Sequence, residues 1–136
     1  MIIEVTNKFL SRFEHAVKKR DSYFVQGVLA PLHAADITEL LQEFSNNDCK
    51  YVLRQLQDTI AAEIISELEE DTRKKFLKIF DPKELSKLLV HIDSDDVADI
   101  LQDQPIELRE QTLAQLQFLD SEKSTNTKEL LRYEED

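Results

Sequence analysis

The sequence predicts an all-α solenoid, a stack of short helices, and three observations lead to this class. An apolar residue recurs every 12 positions, six times without a gap, and these anchors are Leu32, Phe44, Leu56, Leu68, Phe80 and Ile92. An apolar pair follows eight positions after each anchor; all 12 pair positions are apolar, which chance gives about 2 times in 100,000 at an apolar fraction of 41%. Sequences that break or cap helices separate the units.

The length of the period excludes one long helix. At about 100° per residue, 12 residues rotate the apolar stripe by roughly 120°, so a continuous helix would have no single buried face. Cap sequences lie where the chain must break: SNND at 45–48, DPKE at 81–84 and DSDD at 93–96. Each unit also has a core position, five residues after its anchor. Between breaks, the core residue, the pair and the next anchor lie on one helix face. Helices this short need neighbours to be stable, so they stack.

The elements follow in order along the chain. Residues 1–31 predict two capping helices, one over 6–19 behind a Thr6 cap and one from near Asp21 to Leu29, which Pro31 ends. Residues 32–103 predict six units of one short helix each.

In the last part of the chain, residues 104–136, we expect terminal helices, and the 12-residue apolar pattern weakens. Pro105 opens a helix, but Gln104 and Arg109 occupy positions that are apolar in the earlier units. The stretch STNT at 124–127 is a weak helix former, and a last helix is expected around Leu130.

Bulk properties restrict the class of protein. One repeat array in 136 residues predicts a single domain over residues 1–136, and no stretch has the apolar length for direct membrane insertion. A net charge of −11 disfavours nucleic acid and anionic membranes as partners, and favours divalent cations or a basic partner. The single cysteine, Cys49, occupies a core position, so a buried thiol is expected rather than a reactive one.

Nothing in the sequence predicts an enzyme. His15, His33 and His91 have no paired metal-ligand spacing, and no nucleophile has a base and an orienting partner. The single glycine, Gly27, excludes a glycine-rich phosphate loop.

The densest acidic group consists of Asp93, Asp95, Asp96 and Asp99, followed by Asp103. Asp95 and Asp99 lie four residues apart and share a helix face, where like charges repel and a bound cation would relieve the repulsion. Magnesium suits such a place because it takes one or two carboxylates and keeps several waters. The alternative interpretation is structural, with Asp93 and Asp96 as a cap pair and the aspartates of the first turn favoured by the helix dipole.

Four sequence segments resemble the cytosolic N-terminal domain of the MgtE family of magnesium transporters. LHAADITELL at 32–41 is similar to the family's LHPADIAELL, with Ala34 in place of proline. AAEI at 61–64 and DDVAD at 95–99 are similar to AAEV and to the family's Asp-Asp-hydrophobic-Ala-Asp. LLRYEED at 130–136 is similar to the segment that precedes paired CBS domains. The resemblance covers roughly residues 20–136.

The resemblance implies a right-handed superhelical regulatory domain of a transporter that continues into CBS domains and a membrane pore and forms a homodimer. It places this domain on the cytoplasmic face of the bacterial inner membrane. By the same resemblance, Glu63, Asp95 and Asp99 are the expected ligands of Mg²⁺ shared with the CBS domains, in a closed-pore state. A site split between domains should bind magnesium weakly in the isolated domain.

The residues alone are also compatible with a different function, that of a protein-interaction scaffold. An armadillo-like interaction scaffold would ignore metal and would bind an acidic partner through the basic units at residues 74–78.

Overall fold

The structure, a computed structural model, describes the backbone of residues 7–135 and the side chains of residues 7–132. Every regular element in that part of the chain is an α-helix, which confirms the predicted class. The helices are α1 (Asn7–Lys18), α2 (Ser22–Leu29), α3 (Ala34–Leu41), α4 (Asn46–Arg54), α5 (Asp58–Glu67), α6 (Glu70–Leu77), α7 (Pro82–Leu89), α8 (Ser94–Gln102), α9 (Ile106–Leu119) and α10 (Ser121–Glu135). The predicted Thr6 cap lies outside the described residues. Within 7–135, the helices lack the length and apolar composition that a membrane crossing requires.

The 12-residue repeat corresponds to one helix per unit, α3 to α8, as predicted. All 12 pair residues are buried, and they are Leu40, Leu41, Val52, Leu53, Ile64, Ile65, Phe76, Leu77, Leu88, Leu89, Ile100 and Leu101. The anchors Leu32, Leu68 and Ile92 are also buried. The apolar pair of each helix is therefore its main contribution to the core.

Side-chain caps begin several helices where the sequence predicts them. The Asp81 carboxylate accepts a hydrogen bond from the Glu84 N–H at 2.7 Å, and Pro82 is the first residue of α7. The Ser45 hydroxyl accepts from the Asp48 N–H at 3.3 Å in front of α4. Each cap satisfies a backbone N–H that the first turn leaves without a helical partner.

The chain divides into two compact units, one ending at Ile64 and the other beginning at Ile65, so the boundary falls inside α5. The predicted single domain stays a prediction. In the first unit α1 packs on α2 and α4, and the ring of the fully buried Phe13 meets that of Phe44 edge-on at 5.6 Å.

A left-handed residue connects α1 to α2. Arg20 has a φ of 57°, the Asp21 N–H donates to the Ala16 carbonyl at 2.9 Å, and the Arg20 N–H donates to the Val17 carbonyl at 3.0 Å. These two bonds are the pattern in which glycine usually supplies the left-handed residue. An arginine here costs backbone energy, on the order of 1–2 kcal/mol, so its side chain should have a compensating role.

In the second unit α9 packs on α7, and α10 packs on α8 and α9. The repeat continues structurally past the point where its sequence pattern weakens. Gln104, at the next anchor position, is buried and accepts a hydrogen bond from the hydroxyl of Thr112, also buried, at 3.3 Å. The Arg109 guanidinium donates to the Leu101 carbonyl at 3.0 Å. Polar side chains occupy these positions because each has a hydrogen-bond partner.

Helix α10 begins earlier than the sequence predicts and runs through residues 124–127 without a break. Ser124 and Thr127 are fully buried, and the Ser124 hydroxyl donates to the Leu113 carbonyl at 3.2 Å. The Lys123 ammonium also donates to the Ile92 carbonyl. Tertiary contacts therefore outweigh the weak helix propensity of this stretch.

Candidate functional site

Asp95 and Asp99 lie on α8 and are both exposed. Their spacing of four residues places the carboxylates on one face of the helix, one turn apart. Neither side chain makes a hydrogen bond or an ion pair with a residue that the structure describes. This face of α8 therefore carries two carboxylates whose mutual repulsion no cation of the described chain offsets.

The predicted cap pair of Asp93 and Asp96 is wrong, because Asp93 makes no side-chain capping hydrogen bond. Asp93 is the residue before α8 and has the extended backbone of a cap, with φ −62° and ψ 147°, but its carboxylate accepts no capping hydrogen bond. Asp96 in the first turn is exposed as well. The two aspartates do not form the expected cap pair, so their contribution to α8 comes from their charge at its positive end.

Glu63, the third predicted ligand, is exposed on α5 and belongs to the first unit. Within the part of the chain that is described, no group of three or more histidine, cysteine or carboxylate side chains converges on a possible metal position. Magnesium prefers six oxygens in octahedral geometry, several of them usually water. The assignment of Glu63, Asp95 and Asp99 as ligands stays a prediction, and any such site needs further partners.

Asp103 differs from the rest of the acidic group because a cation neutralises it. Nε and Nη2 of Arg73 both lie 2.8 Å from Oδ2 of Asp103, and the two side chains are 14% and 7% exposed. Charge-assisted hydrogen bonds of this kind are strong, and burial reduces their screening by solvent. This carboxylate therefore serves the fold and is not available for a metal ion.

Our sequence reasoning missed this pair, although the repeat contains a signal for it. Arg73 occupies the core position of the fourth unit, where the other units have Ile37, Cys49, Ala61, Leu85 and Val97. A charged residue in an otherwise apolar position of a repeat needs a buried partner of opposite charge.

A second buried carboxylate lies in the first unit. Asp48 is buried, and its oxygens lie 3.3 Å from Nζ of Lys18 and 3.1 Å from Nη1 of Arg20. Burial alone would raise the pKa of Asp48, but the hydrogen bonds from Lys18 and Arg20 outweigh it and hold the pKa below its ordinary value of 3.8. The Asp48 carboxylate is therefore ionised and already neutralised.

The Arg20 side chain explains why an arginine occupies the left-handed position after α1. Besides Asp48, its guanidinium lies 4.5 Å from the ring centre of Tyr51, and the Tyr51 hydroxyl is hydrogen-bonded to the Ser22 hydroxyl at 2.9 Å. Cation–π contact and ion pairing together offset the backbone cost of the conformation.

The other chemically notable side chains do not form a reactive site. Cys49 is buried as expected, its thiol donates to the Leu41 carbonyl at 3.2 Å, and burial, with a smaller contribution from the charge of Asp48, raises its pKa to about 11. In the basic segment at 74–78, the Lys74 ammonium lies 3.3 Å from the Glu70 carboxylate on the same helix. That pair partly neutralises the positive charge on which a scaffold function would depend.

Two solved structures are similar to this chain. One is the soluble part of a magnesium transporter, with a TM-score of 0.75 over 91% of this chain and 48% of that chain; its 21% sequence identity supports the fold alone. The other is the cytosolic domain of the Mg²⁺ channel MgtE in complex with ATP, with a TM-score of 0.77 and 27% identity over 93% of this chain and 51% of that chain. The chain thus spans about half the length of each.

Sequence comparison gives a more specific result. Among curated protein sequences, none matches this chain significantly. Residues 32–136, which are more than half of the chain, match the family described as the MgtE intracellular N domain. The match includes the six helix units, the acidic face of α8 and both terminal helices. The chain therefore belongs to the MgtE intracellular N domain family.

Proposed function

We propose that this chain is the magnesium-sensing regulatory domain of a magnesium transporter at the cytoplasmic face of the bacterial inner membrane. Its family membership and its similarity to the cytosolic domain of a Mg²⁺ channel, at 27% identity, support the assignment. The domain is not an enzyme in this proposal. Its partners are the CBS domains and the membrane pore of the same transporter, which we expect to be a homodimer.

The observation that carries the proposal is the difference among the carboxylates of the second unit. Arg73 neutralises Asp103, whereas Asp95 and Asp99 are exposed on α8 without an ion pair to any described residue. Carboxylate oxygens are ligands that Mg²⁺ prefers. We therefore assign Asp95 and Asp99 as residues that would hold magnesium shared with a CBS domain. Glu63 joins this assignment through the family resemblance alone.

The sensing mechanism in this proposal depends on repulsion between acidic surfaces. When the carboxylates of this domain face those of another domain, their like charges favour separation. A bound divalent cation supplies the neutralising charge, and the compact arrangement with a closed pore becomes favoured. The equilibrium shifts only as far as the ion binds the compact state more tightly than the open one.

The same reasoning predicts weak magnesium binding by the isolated chain. Asp95 and Asp99 supply at most two carboxylates on one helix face, and no third acidic, histidine or cysteine side chain among the described residues joins them. The remaining ligands come from water or from another domain, so affinity should rise when the CBS domains are present.

Limited proteolysis of the intact transporter with and without magnesium tests the proposal. We expect magnesium to protect the wild-type protein from cleavage and the Asp95→Asn/Asp99→Asn variant to lose that protection. A matched control is Glu39→Gln/Glu43→Gln, which removes two exposed carboxylates with the same sequence spacing, one on α3 and one two residues after its end. The control should keep the protection. Unchanged protection in the Asp95/Asp99 variant would contradict the assigned ligands, and an intact transporter that magnesium never protects would favour the metal-indifferent scaffold.

A further inference from the structure

Helix α1 has a basic face in a strongly acidic protein. Residues 7–20 contain five lysine or arginine residues and one glutamate, a net charge of +4 in a chain whose total is −11. Lys8, Arg12 and His15 lie on α1 and Lys19 directly follows it. They come at intervals of four, three and four residues, the spacing of a single helix face. All four are exposed, and none forms a side-chain ion pair with a described residue. Their positive charge is therefore available to a partner.

This basic face forms one side of a groove between α1 and the start of α2. The groove has a volume of about 440 Å³ and is lined by Arg12, His15, Ala16, Lys19, Asp21 and Phe24. Phe24 is 41% exposed, and the adjacent Tyr23 is 91% exposed. The groove thus offers an aromatic ring beside cationic side chains, a combination that binds a ligand with both negative charge and an apolar side chain.

The acidic residue in this groove does not cancel its charge. The Asp21 carboxylate accepts a hydrogen bond from the Phe24 N–H at 3.2 Å as the cap of α2. The same lining contains three basic residues, Arg12, His15 and Lys19. A partner therefore meets more cationic than anionic groups.

The shape of the groove indicates which acidic partner fits. A flat anionic membrane would contact the basic face but would leave a concave groove unfilled. A peptide fills a groove and presents side chains of alternating character to it. The groove also lies before residue 32, outside the family match, so it does not depend on the magnesium-sensing role.

We propose that the groove between α1 and α2 binds an acidic peptide segment of a partner protein. Two carboxylates of the segment pair with Arg12 and Lys19. An aromatic or large aliphatic side chain of the segment, located between its carboxylates, packs on Phe24. Exposed ion pairs are individually weak and sensitive to salt, so the interaction should be transient and electrostatically steered.

Fluorescence anisotropy with a labelled peptide tests this proposal. The probe is a short peptide with glutamates on both sides of a single leucine, added to the full 136-residue chain at low salt. We expect saturable binding that high salt abolishes and that falls roughly tenfold in Arg12→Gln/Lys19→Gln. The control Lys83→Gln/Lys87→Gln removes two exposed lysines of α7 and should bind like the wild type. An equal loss in the control would overturn the proposal, because it would show that only net charge matters.

A second pair of measurements tests the apolar contact. Phe24→Ala should weaken binding of the leucine peptide several-fold and leave binding of the same peptide with glycine in place of leucine unchanged. Circular dichroism of each variant checks that the helices are intact. Binding of vesicles containing phosphatidylglycerol in preference to the peptide would overturn the proposal in favour of a membrane surface. Self-association of the chain that Arg12→Gln/Lys19→Gln abolishes would overturn it in favour of a second copy.

Discussion

Asp48 and Asp103 differ from Asp95 and Asp99 in the surroundings of the carboxylate. The first two are largely shielded from solvent and paired with Lys18, Arg20 or Arg73, whereas the other two are exposed on α8 without an ion pair to a described residue. A paired carboxylate cannot bind a metal without leaving its partner uncompensated. Acidic residues in this domain therefore divide into structural ones and available ones, and their partners, rather than their density in the sequence, decide the class.

The largest effect is expected for the buried pair of the second unit. Asp103→Ala leaves the Arg73 guanidinium, whose side chain is 14% exposed, without its partner. The free energy of unfolding should fall by about 3 kcal/mol, measured by urea denaturation. The double variant Arg73→Met/Asp103→Ala should recover most of that loss, because no buried charge is left unpaired. A loss below about 1 kcal/mol in the single variant would show that this pair behaves as a surface ion pair.

A smaller, pH-dependent effect is expected for the first unit. Near neutral pH, Asp48→Asn should lower the free energy of unfolding by about 1–2 kcal/mol. The pKa of Asp48 is lower in the folded chain than in the unfolded one, so its stabilisation is complete above 3.8 and is lost as pH falls through the folded-state value. Denaturation curves at decreasing pH should therefore show the wild type approaching the variant.

The control for this prediction removes the cations instead of the carboxylate. The background is Lys18→Met/Arg20→Gly, in which glycine suits the left-handed backbone at position 20. In this background Asp48 should no longer give stability that is lost as the pH falls, so Asp48→Asn should not reduce that loss. If the acid dependence persists there, its cause is a group other than this cluster.

The smallest effect is expected on α8, and it has the opposite sign. Asp99→Asn removes repulsion from Asp95 and Asp96, which lie four and three residues before it. The isolated chain should become more stable by about 0.3 kcal/mol, seen as a small rise in Tm by calorimetry. A destabilisation as large as that of Asp48→Asn would mean that Asp99 has a structural partner, and the division between the two classes of carboxylate would fail at this residue.

The sequence predicted the helices well because the signal for each was local. The buried pairs such as Ile64 and Ile65, and caps such as Asp81, depend on residues within one turn of one another. The polar stretch of α10 was predicted less well because Ser124 is held by Leu113 of another helix, and helix propensity carries no information on such a contact.

The site was only partly predictable for a related reason. The carboxylates of α8 are visible in the sequence, but their availability depends on which cations fold against them. Arg73 lies 30 residues from Asp103, Lys18 lies 30 from Asp48, and the hydroxyls of Ser22 and Tyr51 meet across 29 residues. A 12-residue repeat does not reveal this second spacing of about 30 residues, which arises because helices two or three positions apart along the chain meet through their side chains.

The spacing of about 30 residues also has a consequence during synthesis. A ribosome that adds 5–20 residues per second makes the two members of such a pair roughly 2–6 s apart. Arg73 is therefore translated well before Asp103, and Lys18 well before Asp48. In each of these pairs the cation is synthesised first and remains hydrated until its carboxylate is synthesised. The direction of translation therefore determines which member of the pair is without its partner for this time.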